Sequence, residues 1–374
     1  MAEFSRIVVK LGSNVLSAGG DHLDRARMIE IVREVAQLHR QGVEVVIVTS
    51  GAVLAGRERM GQWHANGSIP IRQMLAAVGQ GRLMQLYEQF FDIYGIHVAQ
   101  ILLTADDFRH RRRYLNARDT LLGLIDAGVV PIINENDTVT TDEIKVGDND
   151  NLAALVLTLV DADLLVLLSD IEGLYTADPR GDPTAQLIAE VAQVDAEIWA
   201  LAGSAGSHGT GGMRTKLEAA QTVQRAGSTL VIASGDDPGA LGRVVRGERV
   251  GTRFGPLDSS LAGRQRWILA GSRALGRVYV DAGAARALCE GGKSLLAVGV
   301  TGVEGEFERG ETVRVYAGEA GSPGLREIAR GVVRYGAEEL EQIKGLKSGQ
   351  IATCLGYDYG DEVVHRNDMV ILGT

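Results

Sequence analysis

Lys10 stands near the end of the apolar run RIVVKL, with Gly12, Ser13 and Asn14 behind it, and Lys216 closes the glycine-rich run GTGGMRTK. An ammonium beside a glycine turn can neutralise a phosphate whose oxygens the turn's backbone N–H groups also reach. Other polar residues follow apolar runs in the same way. Ser50 and Gly51 close VEVVIVTSG, Asn134 to Asp137 follow VVPII, KVGDNDN holds Lys145 to Asn151, and Ser169 and Asp170 end LLVLLSD. Lysines, acids and glycine turns brought together fit phosphoryl transfer, in which a protein mainly positions the groups and neutralises charge.

Each feature also has a plainer explanation. Lys10 or Lys216 can turn an ammonium into solvent. Asp148, Asp150 or Ser50 can cap a helix, and Asn134 to Asp137 can be turn chemistry. What favours chemistry is position, because ligands of open α/β sheets bind at the carboxyl ends of the strands.

The elements that must position these residues alternate. RIVVKL, VEVVIVTSG, IHVAQILLT, VVPIIN, DLLVLLSD and STLVIASG read as strands, separated by helical patterns that include MIEIVREVAQLHRQG, Tyr114 to Ala127 and NLAALVLTLV. The strands lack polar alternation, so both their faces are buried, and the expected fold class is α/β with a mostly parallel central sheet covered by helices. Beyond about residue 250 the elements become short and glycine-separated, as in GRVYVD, SLLAVGV and GEFERGETVRVY, with a short helix around Ala284 to Glu290. That rhythm predicts a small, mainly β domain. The expected organisation is a catalytic domain over 1–255, a linker over 256–275 and the small domain with its tail over 276–374.

Composition narrows the classes. The 374 residues are 45% hydrophobic and 23% charged, ordinary for a folded globular chain. No secretory leader or membrane-length apolar run is visible, and two cysteines suit a reducing cytoplasm better than a disulfide framework. The seven histidines show no ligand spacing, so no protein-held metal is expected. A formal charge of −10 argues against a phosphate-backbone binder. ALCEGGKS, residues 287 to 294, is a chance likeness to a P-loop, since it lacks the first glycine and follows a helical stretch. No G-x-G-x-x-G fingerprint is present.

Taken in order, VVKLGSNVL, VIVTSGAVLAGRE, LNARDTL, PIINENDTV, EIKVGDNDNLAALV, LLSDIEGLYTADPR and GTGGMRTKLEAA resemble the glutamate 5-kinases of the amino-acid kinase family. The tail around GEFERGETVRV resembles a PUA domain. The resemblance covers nearly the whole chain. It implies an α/β/α sandwich and phosphorylation of the L-glutamate side-chain carboxylate by ATP with Mg²⁺, the metal riding on the ATP phosphates. It also implies a homo-oligomer inhibited by proline.

By the same match, Lys10 and Lys216 contact the transferred phosphoryl group, and Asp150 holds the two lysines. Ser50, Gly51, Asn134, Asp137 and Asn149 fall on substrate positions. Lys10, Ser169, Asp170, Thr210, Gly211, Gly212, Met213, Arg214, Thr215 and Lys216 fall on ATP positions. Ser13 and Ser169 stand where the family often has threonine, and both keep a hydroxyl. A carboxylate acceptor, with a reference pKa of about 4.3, is already ionised and needs no general base.

Two rivals remain. A relative of the same fold could act on N-acetylglutamate, aspartate, a carbamate or a nucleoside monophosphate; the NENDTV and GDNDN pair and the small domain favour free glutamate. A PUA-like domain could instead make the chain an RNA binder with a vestigial kinase core. Residues 256 to 374 carry 14 Lys and Arg against 16 Asp and Glu, which is no basic footprint.

Overall fold

A computed structural model describes residues 3–61, 68–140, 149–179, 181–202, 212–257, 274–318, 321 and 324–372. It divides into two compact units, one of Met1–Phe108 with Thr120–Ser260 and one of Arg109–Asp119 with Leu261–Thr374. A contiguous division leaves Arg109–Asp119 with the first unit; the observed contacts group it with the second.

The first unit is built on one sheet. Its strands are β1 (Arg6–Leu11), β2 (Glu44–Val48), β3 (Val98–Leu103), β4 (Val130–Glu135), β5 (Leu164–Ser169), β6 (Glu190–Val191), β7 (Thr229–Ser234) and β8 (Thr252–Phe254). Their spatial order is β3-β4-β2-β1-β5-β7-β8-β6. Every pair is parallel except β7 with β8. The runs VVKL of β1 and LLVLLS of β5 are buried throughout, as expected of parallel strands covered on both faces. β6 and β8 were not legible as strands, because two or three residues carry no periodicity.

The chain lays β2, β4 and β3 on one side of β1, then returns to place β5 and β7 on the other. That reversal opens a crevice at the carboxyl ends of β1 and β5. The helix Asp150–Leu159 is the crossover from β4 to β5. It runs back against the strands, so its first residue lies at their carboxyl edge. The helix Gly212–Ala226 leads into β7 in the same sense and brings Lys216 to that edge in its first turns.

Helices Ala52–Met60 and Ile69–Asp92 cross in backbone contact, since a Cβ on Gly79 would strike the carbonyl oxygen of Ala52. Only glycine permits that approach. It draws the next residue, Gln80, towards the strand ends.

The second unit has a five-stranded sheet ordered β11-β9-β12-β13-β15, made of β9 (Gly276–Val280), β11 (Val300–Gly305), β12 (Thr312–Ala317), β13 (Arg326–Val332) and β15 (Met369–Ile371). A two-stranded sheet pairs β10 (Leu295–Leu296) with β14 (Glu362–Val364). The short helix expected at Ala284 to Glu290 is Ala282–Cys289, capped by the Asp281 side chain. Val278, Val313, Val315, Tyr335 and Leu340 belong to its core. The helix expected from Tyr114 starts earlier, at Arg111. Among the described residues, no helix is long and apolar enough to cross a membrane.

Candidate active site

β1 delivers Lys10 to the crevice as a buried side chain, 5% exposed. Its ammonium lies 2.6 Å from Asp150 Oδ1. Lys216 Nζ lies 2.9 Å from Asp150 Oδ2, and the Thr215 hydroxyl donates to the same oxygen at 3.1 Å. Both plainer explanations fail here. Lys10 does not reach into solvent, and Asp150 is fully buried inside the helix whose N-cap is Asn149. Asn149 itself makes no side-chain capping bond.

Within this triad two ammonium groups face one carboxylate. Burying such a group is costly unless a counter-charge is supplied, so the arrangement is suited to an arriving anion with oxygens to spare. It does not suit a protein-held divalent metal, because both oxygens of Asp150 are engaged by ammonium groups. Among the described residues no cluster of His, Cys, Asp and Glu has the makings of a metal site.

A second group of predicted residues meets beside it. Asn149 Nδ2 donates to the Thr49 carbonyl at 2.7 Å and to Asn134 Oδ1 at 2.9 Å, and lies 3.3 Å from Ser50 Oγ. An amide nitrogen has two hydrogens. The two shorter contacts take them, which leaves the Ser50 hydroxyl available. Gly51 opens the helix Ala52–Met60 with φ 98°, a left-handed conformation that favours glycine, and its missing side chain avoids Leu16 and Leu23. Asp137 follows β4 in a half-buried turn.

On the β5 side, Asp170 accepts from Asn14 Nδ2 at 3.0 Å and from Ser169 Oγ at 3.1 Å. Burial pushes the Asp170 carboxyl up, but these hydrogen bonds and the Lys216 charge outweigh it and hold it below the usual range. Gly212 and Met213 begin the helix that carries Lys216. Arg214 turns away from the triad, towards Glu218 at 3.4 Å and the Trp199 ring. Thr210 and Gly211 lie outside the described residues.

Several contributors were not singled out from sequence. Gln80 accepts from Asn134 Nδ2 at 2.8 Å. Tyr87, buried, meets the Thr49 hydroxyl at 2.7 Å; burial pushes its phenol up against the opposing pull of that bond, so it stays protonated. Asn14 was visible as a strand-end residue, but its partner Asp170 is 156 positions away.

The chain matches the Amino acid kinase family over residues 5–234 and the PUA domain over residues 276–355. It is 56% identical to a glutamate 5-kinase of Herpetosiphon aurantiacus over 366 residues, covering 98% of each chain. It is 54% identical to a glutamate 5-kinase of Deinococcus radiodurans, covering 98% of this chain and 100% of that one. The chain belongs to the glutamate 5-kinases of the amino acid kinase family. A third member, from Shewanella amazonensis, is 53% identical over 99% of this chain and 96% of its own. The family match over residues 5–234 takes in every strand of the sheet but β8 and both helices that bear on Asp150.

Proposed function

We propose that this chain transfers the γ-phosphoryl group of ATP to the side-chain carboxylate of L-glutamate, giving γ-glutamyl phosphate and ADP, the first step towards proline. The observation that carries the reading is Asp150 held between Lys10 and Lys216 at the carboxyl edge of a parallel sheet. A carboxylate oxygen attacks the γ-phosphorus, the bond to the β–γ bridging oxygen breaks, and its electron pair leaves on ADP. No proton moves in that step, so no general base is required at neutral pH. Lys10 and Lys216 neutralise charge on the transferred group, and Asp150 keeps the two ammonium groups apart and aimed.

Ser50, Gly51, Asn134, Asp137 and Asn149 are the groups for glutamate. Ser169, Asp170 and the run Thr210 to Lys216 are those for ATP. Mg²⁺ enters on the ATP phosphates and supplies further charge neutralisation there. The same reading carries a homo-oligomer, proline inhibition and a cytoplasmic setting.

The test is ATP-dependent acyl-phosphate formation, trapped with hydroxylamine, across glutamate, N-acetylglutamate and aspartate. Glutamate is expected to be the best acceptor, and faster turnover of either rival overturns the assignment. Added proline is expected to raise the requirement for glutamate more than that for ATP.

A further inference from the structure

The orientation of the amide groups around Asn134 is set by main-chain atoms. Asn134 Oδ1 accepts from the Glu135 backbone N–H at 2.9 Å, and an N–H only donates. The atom that faces Gln80 Oε1 at 2.8 Å is therefore Nδ2. Asn149 is fixed at the far end in the same manner, because the Thr49 carbonyl 2.7 Å away only accepts. With its second hydrogen on Asn134 Oδ1 at 2.9 Å, Asn149 has spent both donors inside the protein. Oδ1 is the atom it can offer to a ligand that carries a donor.

Gln80 heads this chain from the helix Ile69–Asp92. Its own Nε2 donates to Gln100 Oε1 at 2.9 Å, which leaves Gln80 Oε1 turned to Asn134. Removing that acceptor frees Asn134 Nδ2 to seek another, and any rotation of the Asn134 amide withdraws Oδ1 from Asn149.

We propose that Gln80 is a positioning residue for the acceptor substrate: by holding Asn134 against Asn149 it presents Asn149 Oδ1 to the α-ammonium group of glutamate. The inference rests on the glutamate reading above. Gln80 touches no reacting atom, so its effect falls on recognition of the amine and spares phosphoryl transfer.

Gln80→Ala and Gln80→Met remove the acceptor and keep helix propensity; Gln80→Glu keeps an acceptor oxygen at the same reach and loses the donor to Gln100, whose exposed amide can turn over and donate to the second carboxylate oxygen. The first two are expected to raise KM for glutamate about tenfold, the worth of one hydrogen bond. In the same variants kcat and KM for ATP are expected to change less than about twofold, the split that marks lost ground-state binding. Gln80→Glu is expected to stay near the parent.

Glutarate, which has both carboxylates and no amine, is the discriminating probe. Its inhibition constant against glutamate is expected to be unchanged in all three variants. Equal weakening of glutamate and glutarate overturns the proposal, as does a parallel rise in KM for ATP, or a Gln80→Glu variant as impaired as Gln80→Ala. Methionine, close to glutamine in length, decides the matter if the alanine chain fails to fold. A parent that turns over no glutamate overturns the functional reading and this proposal with it. A parent that does so, with indifferent Gln80 variants, overturns this proposal alone.

Discussion

Each compact unit buries a cluster of charges, and the two clusters use different cations. In the first, Lys10 and Lys216 share Asp150. In the second, Arg118 pairs with Asp368 at 2.7 Å, Arg309 with Asp119 and Asn116, and Arg334 with Asp119 at 3.5 Å and Glu362 at 3.9 Å. Three guanidinium groups there face three carboxylates. Each fork reaches at least one acid, and Arg309 also stacks 3.7 Å above the Tyr359 ring. Such a cluster is closed and holds the segment Arg109–Asp119 within its unit. The lysine triad sets two compact point charges against one carboxylate, with Asp170 close enough to feel Lys216. We read compact ammonium groups at the carboxyl edge of a sheet as placed for an anion, and charges paired by planar forks as architecture.

Exchanging the cations tests that contrast. Lys10→Arg and Lys10→Ala are expected to lower kcat on the order of 10²- to 10³-fold, as when one preorganised donor is lost from a transition state. Arginine does not rescue, because its broad fork cannot replace a point charge packed against Asp150. The measurement is kcat with a thermal melt of each variant. A folded Lys10→Ala chain with near-parent kcat would return Lys10 to the role of a strand-end lysine.

The two clusters also differ in how far they could be read from sequence. Lys10 was legible as a candidate because apolar runs without alternation announce parallel strands, and the end of such a strand has a known destination; Asp150 and Lys216 open helices, and their roles came from the family resemblance. The second cluster offered no such rule. Arg118 and Asp368 are 250 positions apart, and nothing local to LNARDTL says which acid it will meet. Gln80 was hidden for a related reason. It lies within a long helix, and which side of that helix meets β4 depends on the Gly79 crossing rather than on any motif.

The converse exchange, Arg309→Lys, is expected to act on stability alone. It keeps the charge but loses one of two hydrogen bonds and the stacking on Tyr359, a cost of about 1–2 kcal/mol. Melting should fall by several degrees while kcat stays within about twofold of the parent. A drop in kcat comparable to that of Lys10→Arg would show that the second cluster takes part in turnover, and the contrast drawn here would be wrong. A chain ending near residue 256 bears on the same point, since it strips Arg118, Asp119 and Asn116 of their partners. Retained activity in that chain, with a lower melting temperature, is the expected outcome.

The smallest effect concerns pH. Burial lowers the His365 pKa below its ordinary 6.5; Asp368 and Glu362 pull it up, and Arg118 and Arg334 push it further down. Its Nδ1 accepts from the Asn367 N–H at 3.2 Å, so the folded state favours the neutral ring. The unfolded chain takes up the proton first as pH falls through about 6.5, and stability drops wherever the unfolded state binds more protons. The contribution is present above that pH, declines as pH falls towards the folded-state value, and levels off below it. Asp119, raised by burial against the pull of Arg334, Arg309 and Arg118, works in the opposite sense, so the histidine must be isolated by difference. His365→Asn keeps a capping acceptor and removes the titration. The melting temperature of the parent minus that of His365→Asn should fall by about one or two degrees between neutral pH and pH 5. A difference that does not change with pH would mean that burial and the neighbouring arginines do not penalise protonation of His365.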